Sequence, residues 1–233
     1  DVYKRQQFWL LLIATVAALF ADSAIKELHG TAVFYASLIR ELADENSYLH
    51  IFQGDRAYLL KPPLLLWLGV ASSEVFGLSN FGVTFPSRLA GVGSIVLLYL
   101  IGKKLWNHNI AWLAAFVMLT NSTFLQFTAT LRMDSLLLLA GLVSLYGWLC
   151  HEKPWGSTAI FAGIMVGVLS KGPIGFAPIV LILVHAKLNQ ISVLRSIQWR
   201  WSVLLLPIAA WYGYLLQLHG TRPFTELSAD TLK

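Results

Sequence analysis

The sequence is poor in charged residues. Only 12% of its 233 residues are Asp, Glu, Lys or Arg, whereas soluble domains carry about 25%. Hydrophobic residues make up 57% of the chain and the mean hydropathy is +0.65. This composition excludes an ordinary soluble domain and predicts an integral membrane protein.

Cysteine is almost absent, and the histidines are scattered. The single cysteine, Cys150, excludes an intrachain disulfide and any zinc site built on cysteines. His29, His50 and His219 lie in polar segments without the spacing of metal ligands. The sequence therefore assigns no metal site to these residues.

The two ends of the chain are polar. Residues 1–6, DVYKRQ, do not begin with Met, and we interpret them as a remnant tail rather than native sequence. Residues 219–233 are interpreted as the start of an extracytoplasmic loop in a truncated chain. Between them, residues 7–218 are predicted to form one transmembrane module whose extracytoplasmic loop covers residues 22–84.

Apolar runs predict about seven membrane spans in an all-α bundle. A full span needs about 20 residues, and several runs are shorter, so their ends are approximate. The predicted spans are 8–21, 85–101, 110–127, 135–150, 158–169, 174–186 and 201–218.

The first loop is predicted to carry helices that lie at the membrane interface. Residues 31–43 place Ala32, Tyr35, Ala36, Ile39 and Leu42 on one helical face. Pro62 and Pro63 suit the first turn of a second helix because proline lacks the backbone N–H. That apolar run, residues 62–76, is shorter than a full span, and we interpret it as interfacial.

The distribution of cations supports that interpretation. If residues 62–76 do not cross, six cations lie on one side, as cytoplasmic loops require; these are Lys103, Lys104, Lys153, Lys187, Arg195 and Arg200. The opposite side then receives Lys61, Arg132 and Lys171, each at the mouth of an apolar helix. A crossing would instead place Lys61 and Arg132 on opposite faces of the bilayer.

Three cations on one face predict a site for an anionic ligand such as a lipid phosphate. Each of Lys61, Arg132 and Lys171 alone could be an anchor that reaches the headgroups, but three beside helix ends favour a binding role. The Gly-Pro break after Lys171 adds exposed backbone N–H groups. Asp134 either stabilises a helix N-terminus or serves as a carboxylate that orients or deprotonates an acceptor, or pairs with Arg132.

Several short motifs, in this order, resemble those of the GT-C membrane glycosyltransferases, of the aminoarabinose transferase and protein O-mannosyltransferase type. No single motif is specific, but their order and spacing over residues 31–175 are. The matching pieces are Tyr35-Ala36 with Arg40-Glu41, Tyr58 to Pro63 (YLLKPP), Trp67, Phe76-Gly77, Pro86 to Leu89 (PSRL), Arg132 to Asp134 (RMD) and Ser170 to Pro173 (SKGP).

The resemblance implies a bacterial inner-membrane enzyme of cell-envelope (lipopolysaccharide) biosynthesis, with its active face extracytoplasmic. It implies a polyprenyl-phosphate sugar donor whose phosphate lies near Lys61 and Lys171, to which the cluster of cations on this face adds Arg132. It also implies a glycolipid (such as lipid A) or protein acceptor and transfer with inversion. Tyr35 and Tyr58 are expected to line the substrate cavity. A divalent metal is possible in this class, although no ligand set is assigned, and no nucleic-acid partner is expected.

The sequence departs from the family at the position of the catalytic acid. Relatives carry an aspartate four residues before the tyrosine of Tyr35-Ala36, where this chain has Thr31. Phe34 and Leu60 also replace charged residues of many relatives. Glu27 or Asp22 could substitute for the acid; Glu27 could do so only if the helix begins before Thr31.

Two other functions stay open. A non-catalytic relative that binds lipid phosphates is consistent with Thr31. A transporter is the other alternative, but ionisable residues gather at one face here, whereas transporters place them near the midplane and show inverted repeats.

Overall fold

A computed structural model shows a helical protein, confirming the predicted fold class. The structure describes residues 2–21, 27–45, 48–49, 51–53, 56–58, 61–220 and 222. The helices are α1 Val2–Phe20, α2 Thr31–Glu45, α3 Leu64–Phe76, α4 Asn80–Leu105, α5 His108–Thr120, α6 Ser122–Ala129, α7 Met133–Leu149, α8 Gly156–Lys171, α9 Ala177–Leu188, α10 Val193–Ser196 and α11 Leu206–His219. Two short 3₁₀ helices, Gly172–Phe176 and Trp199–Leu205, precede α9 and α11.

The helices that the sequence predicts in the first loop form in the described residues, while their place at the membrane interface stays a prediction. Helix α2 buries Ala32, Tyr35, Ile39 and Leu42 and exposes its other side. Two short strands follow, β1 Phe52–Gln53 and β2 Arg56–Ala57, paired antiparallel. Helix α3 begins directly after Pro63, as the two prolines predict.

Three described helical segments are long and apolar enough to cross a membrane: Asn80–Leu105, Gly156–Leu188 and Trp199–His219. The pair α5 and α6 makes a fourth if it counts as one span. The second segment is a hairpin rather than a single crossing, because the indole Nε1 of Trp148, at the end of α7, donates to Nδ1 of His185 near the end of α9 at 3.1 Å. The figure of seven spans stays a prediction.

The predicted span over residues 110–127 is broken in the structure. Helices α5 and α6 meet at an angle of 66°. Asn121 lies between them, and its side-chain oxygen accepts the N–H of Phe124 at 3.0 Å, which caps α6. The sequence analysis predicted a span over this apolar run but not the bend, which lies at the helix-starting asparagine.

Helix α4 is the centre of the bundle and packs against α1, α3, α5, α6 and α7. Pro86 lies within α4 and has no N–H to donate to the carbonyl of Gly82 four residues earlier. The hydroxyl of Ser72 on α3 donates to that carbonyl at 2.6 Å. The proline of the PSRL motif therefore creates the acceptor that ties α3 to α4.

The bundle has two distinct ends. Helices α4 and α7 run parallel. Ser87 lies near the start of α4, Arg132 lies just before α7, and the Ser87 hydroxyl donates to the carbonyl of Arg132. Helices α1 and α8 run the opposite way: Phe8 of α1 stacks near Tyr99 of α4, and the end of α8 meets the start of α7. We call the end with the start of α7 the motif end.

The opposite end, where α4 ends and α5 begins, we call the cation end. The N–H of Gln198 donates to the Ser157 hydroxyl at the start of α8, which brings the segment after α9 to the same end. The described basic residues of the cation end include Lys4, Arg5, Lys103, Lys104, Lys153, Lys187, Arg195 and Arg200. The six cations that the sequence assigned to one side therefore do lie at one end of the bundle.

Candidate functional site

An ion pair joins two of the sequence motifs at the motif end. The ammonium of Lys171 donates to the carboxylate of Asp134 at 2.5 Å, and each side chain is 32% exposed. Helices α7 and α8 have 17 and 16 residues, so an antiparallel pair returns the end of α8 to the level of the start of α7. The pair thus brings a cation of the SKGP motif to the carboxylate of the RMD motif.

The turn after Lys171 depends on two glycines. Gly172 has a φ of +72°, in the region that favours glycine. A Cβ on Gly175 would collide with the backbone of Gly167 and Val168. These glycines let the chain fold back at once, so that Lys171 stays at the end of the helix pair and beside Asp134.

Arg132 is the residue that precedes α7. Its φ of −137° is extended, and its backbone is held by Ser87, which donates to the carbonyl at 3.2 Å. The guanidinium lies over the ring of Phe127, with 4.4 Å from the carbon of the guanidinium to the ring centroid. Asp134 contacts Lys171, so the predicted alternative in which Arg132 pairs with Asp134 is not the arrangement observed.

Tyr35, Tyr58 and the start of α3 pack into the same apolar cluster as the RMD and SKGP motifs. Tyr35 and Tyr58 are 7% and 6% exposed, and the Phe34 ring lies within 5.6 Å of both rings, centroid to centroid. Lys61 is half-buried, just before the buried Pro62 and Pro63. The cluster also includes Leu65, Leu66, Leu131, Met133, Leu136 and Leu169. All of the predicted binding motifs therefore converge at the motif end.

The position of the expected catalytic acid is exposed. Thr31 is the first residue of α2, and Gly30 before it has a φ of +56°. Glu27 lies in the irregular segment before the helix, so the condition under which it would replace the acid, an earlier helix start, is not met. Glu27 instead lines a cavity of about 480 Å³ together with Ser37, Arg40 and several apolar side chains. Asp22 lies outside the described residues.

Arg88 of the PSRL motif is a structural residue that the sequence analysis did not assign. It is 1% exposed. Its Nε donates to the Thr84 hydroxyl at 3.0 Å, its Nη2 to the carbonyl of Ala129 at 2.8 Å, and its Nη1 to the carbonyl of Leu19. Arg88 thus joins the ends of α1 and α6 to α4. An arginine inside a predicted span was the signal that could have indicated this role.

Two apolar grooves border Asp134. One, of about 400 Å³, lies between α7 and the α5–α6 break and includes Phe124, Phe127 and Leu138. The other, of about 410 Å³, follows α7 from Asp134 to Leu145 and is closed on its far side by α9. The apolar lining of both grooves suits a hydrocarbon chain, and the Asp134 carboxylate at their mouths is paired with the ammonium of Lys171.

A metal site is not formed by the described residues. Among them, no group of three or more His, Cys, Asp or Glu side chains lies close enough together to hold a metal ion.

The fold and these convergent motifs define a multi-helix membrane protein with basic residues from three motifs at one end of its bundle. The family model described as dolichyl-phosphate-mannose-protein mannosyltransferase matches residues 60–214. The chain therefore belongs to this family, and the resemblance to the GT-C glycosyltransferases is confirmed.

Curated relatives match the chain over most of its length. The undecaprenyl phosphate-alpha-4-amino-4-deoxy-L-arabinose arabinosyl transferase of Shewanella sediminis is 24% identical over 206 residues, which cover 81% of this chain and 36% of the relative. The transferase of the same description from Wigglesworthia glossinidia brevipalpis is 27% identical and covers 70% of this chain and 31% of the relative. The chain thus spans about a third of the length of these relatives.

The same fold occurs in a solved membrane protein. The crystal structure of ArnT from Cupriavidus metallidurans bound to undecaprenyl phosphate matches with a TM-score of 0.81 at 19% identity, over 91% of this chain and 42% of ArnT. The apo form of that protein matches with a TM-score of 0.77. These similarities establish the fold shared by the two chains.

Proposed function

We propose that the full-length protein transfers a sugar from a polyprenyl-phosphate donor to a lipid or protein acceptor at the outer face of the plasma membrane. The observation that carries this proposal is the contact between Lys171 and Asp134 beside the RMD and KPP motifs, in a chain of the mannosyltransferase family. The crystal structure of ArnT with undecaprenyl phosphate supports a donor of the same chemical class.

In the proposed reaction, Lys61, Arg132 and Lys171 bind the phosphate of the donor. The acceptor hydroxyl attacks the anomeric carbon from the face opposite the phosphate, a carboxylate takes the hydroxyl proton, and the anomeric configuration inverts. The bond from the anomeric carbon to the phosphate oxygen breaks, and its electron pair stays on the phosphate. Fixed cations stabilise this departing charge more than the bound donor, which lowers the barrier.

The apolar grooves beside Asp134 give part of the polyprenyl chain a place to lie. The groove along α7 leads from the ion pair toward Leu145, that is, from the motif end into the bundle. The excess of cations at the opposite end supports an extracytoplasmic motif end, because cytoplasmic loops are enriched in Lys and Arg. Tyr35 and Tyr58 would form the wall of the site on the side of α2.

A second candidate function is binding of a lipid phosphate without catalysis. It is favoured by Thr31 in the place of the acid and by Glu27, which lies outside α2. A general base typically contributes about 10²- to 10⁴-fold to a rate. A chain with the phosphate site but no base would therefore bind the donor and transfer its sugar slowly.

Replacing Thr31 with aspartate distinguishes the two candidates. Thr31 is exposed at the start of α2, where a carboxylate is also favoured by the helix dipole. We expect Thr31→Asp to raise transfer by about ten-fold or more, measured with radiolabelled polyprenyl-phosphate sugars and the full-length protein in membranes. The matched control is Thr31→Asn, which has nearly the same shape without the charge.

Three outcomes are informative. Transfer by the wild type, raised by Thr31→Asp and not by Thr31→Asn, supports the enzyme. Transfer by Thr31→Asp alone identifies a binding relative that has lost its base. Label transfer that is equal in all three proteins shows that the proton is taken by another group.

Asp134 is expected to act by holding Lys171 in place. Asp134→Asn keeps a hydrogen-bond acceptor and removes the charge, so the free energy of unfolding should change by no more than about 1 kcal/mol, as for exposed ion pairs. We expect the donor KM to rise about five-fold because the ammonium loses its orienting charge. A fall in kcat with an altered pH profile and an unchanged KM would show instead that Asp134 takes the acceptor proton.

A further inference from the structure

The short helix α6 brings an aromatic ring to Arg132. The carbon of the guanidinium lies 4.4 Å from the centroid of the Phe127 ring, within the distance of a cation–π contact. Both side chains are half-buried at the motif end. The ring is therefore in direct contact with a cation that the proposed function assigns to the donor phosphate.

The backbone of Arg132 is held independently of this ring. Its carbonyl accepts the hydroxyl of Ser87 at 3.2 Å and that of Ser135 at 2.9 Å, and its N–H donates to the Ser87 oxygen at 3.4 Å. Both serines are buried. With its backbone held in this way, Arg132 can move its guanidinium only by rotation about its own side-chain bonds. The side-chain conformation therefore decides where the charge lies.

Helix α6 is itself held in place, which keeps Phe127 at the motif end. Helices α5 and α6 meet at an angle of 66°. Near the end of α6, the carbonyl of Ala129 accepts Nη2 of the buried Arg88 at 2.8 Å. Helix α6 also packs closely on α4, because a Cβ on Gly91 would come within 2.9 Å of the Thr128 side chain. The bend between α5 and α6 thus contributes to the placement of the ring.

The contact with the ring leaves the N–H groups of Arg132 for a ligand. In the part of the chain that the structure describes, the guanidinium makes no hydrogen bond and no ion pair. Arginine carries five N–H donors, and two of them together match two oxygens of a phosphate. A carboxylate would also hold the guanidinium, but it would occupy these donors and offset the charge. An aromatic ring orders the side chain without either effect.

We propose that Phe127 is a positioning residue for Arg132, whose ring holds the side-chain conformation in which the guanidinium receives the donor phosphate. This inference rests on the proposed function, because it assigns the held charge to a polyprenyl-phosphate donor. With the ring in place, the guanidinium is ordered before the donor binds. Binding of the donor then loses less side-chain entropy.

The test is a double-mutant cycle that measures binding of undecaprenyl phosphate to the full-length protein. The four proteins are the wild type, Phe127→Leu, Arg132→Gln and the double variant. Leucine keeps the apolar lining of the groove between α7 and the α5–α6 break and removes the ring. We expect Phe127→Leu to weaken binding about two- to five-fold, the effect of one cation–π contact. It should have no further effect once Arg132 is replaced, because the two residues act together.

A conservative variant separates the ring from its bulk. Phe127→Tyr keeps an aromatic ring of similar size and should bind undecaprenyl phosphate as tightly as the wild type. Phe127 is half-buried, so neither replacement should prevent folding, which the yield of monodisperse protein checks. Binding by Phe127→Tyr that is as weak as binding by Phe127→Leu would overturn the inference.

The cycle also distinguishes failure of this inference from failure of the proposed function. Equal weakening by Phe127→Leu with and without Arg132 would show that the ring contacts the polyprenyl chain and does not position the arginine. Unchanged binding by Phe127→Leu, where Arg132→Gln weakens binding, would overturn the inference and leave the proposed function intact. A wild type that does not bind undecaprenyl phosphate would overturn the proposed function, and this inference with it.

Discussion

Replacing Lys171 with alanine should lower sugar transfer by about 100-fold or more, the effect of removing one preorganised charge from a developing anion. Lys171 is placed by the hairpin of α7 and α8 and by its contact with Asp134. Its ammonium is therefore held in place before any donor binds, so in the proposed reaction its charge would stabilise the departing phosphate without reorganisation. The measurement is release of label from a radiolabelled polyprenyl-phosphate sugar by full-length protein in membranes.

The loss should not come from unfolding. Lys171 and Asp134 are each about one-third exposed, and such pairs contribute at most about 1 kcal/mol to stability. Lys187→Ala removes the same charge at the cation end and should leave transfer unchanged. If Lys171→Ala retains transfer, or if Lys187→Ala loses as much, then Lys171 does not bind the donor phosphate.

Replacing Arg88 with methionine should destabilise the protein by about 2 to 5 kcal/mol. The change removes the donors to Thr84, Leu19 and Ala129 and leaves buried acceptors, each of which costs about 1 to 3 kcal/mol when unsatisfied. Two of these acceptors are carbonyls at helix ends, which have no partner within their own helix. Two quantities should be measured: the midpoint of thermal unfolding in detergent, and the amount of monodisperse protein that is recovered.

Arg200→Met is the matched control for Arg88. Arg200 is exposed at the cation end, where it donates to the side chain of Gln198 at 2.9 Å and lies over the ring of Trp201. Its replacement should change the unfolding temperature by only a few degrees. A small effect of Arg88→Met would contradict the structural role that its contacts assign to it.

The helical class and the placement of the motifs could be predicted from the sequence because they follow from composition and charge. Apolar runs indicate helices that must lie in a membrane, and the positions of Lys103, Lys104 and Lys187 determine which ends share a side. The two prolines after Lys61 predict where α3 starts, because proline is tolerated in the first turn of a helix. These features are local, or depend only on whether an odd or an even number of spans separates two loops.

The break at Asn121 and the contacts of the site could not be predicted in the same way. A hydrophobic run over α5 and α6 gives no indication of a 66° bend, which depends on one side chain capping a helix. The partner of Asp134 depends on two helices of nearly equal length, and the predicted span ends were too approximate to align them. The structural role of Arg88 could not be predicted either, because it depends on which carbonyl groups of other helices lie beside its guanidinium.

Sequence and structure give different information about Thr31, at the position of the family acid. The sequence identified Thr31 as the exception, and the structure places it at the exposed start of α2, with Glu27 outside the helix. In the proposed function, three motifs therefore supply the phosphate-binding residues, whereas the proton acceptor is the part that the Thr31 variants test.

The most direct test of the account is binding of undecaprenyl phosphate to the full-length protein, since both candidate functions require it. Binding should be measured in the wild type, in the double variant Lys61→Ala/Lys171→Ala, and in Lys104→Ala/Lys187→Ala as the control with the same loss of charge. The account predicts binding that falls about 25-fold or more in the first double variant, about five-fold for each lysine, and is unchanged in the control. Equal binding by all three proteins would contradict a phosphate site at the motif end.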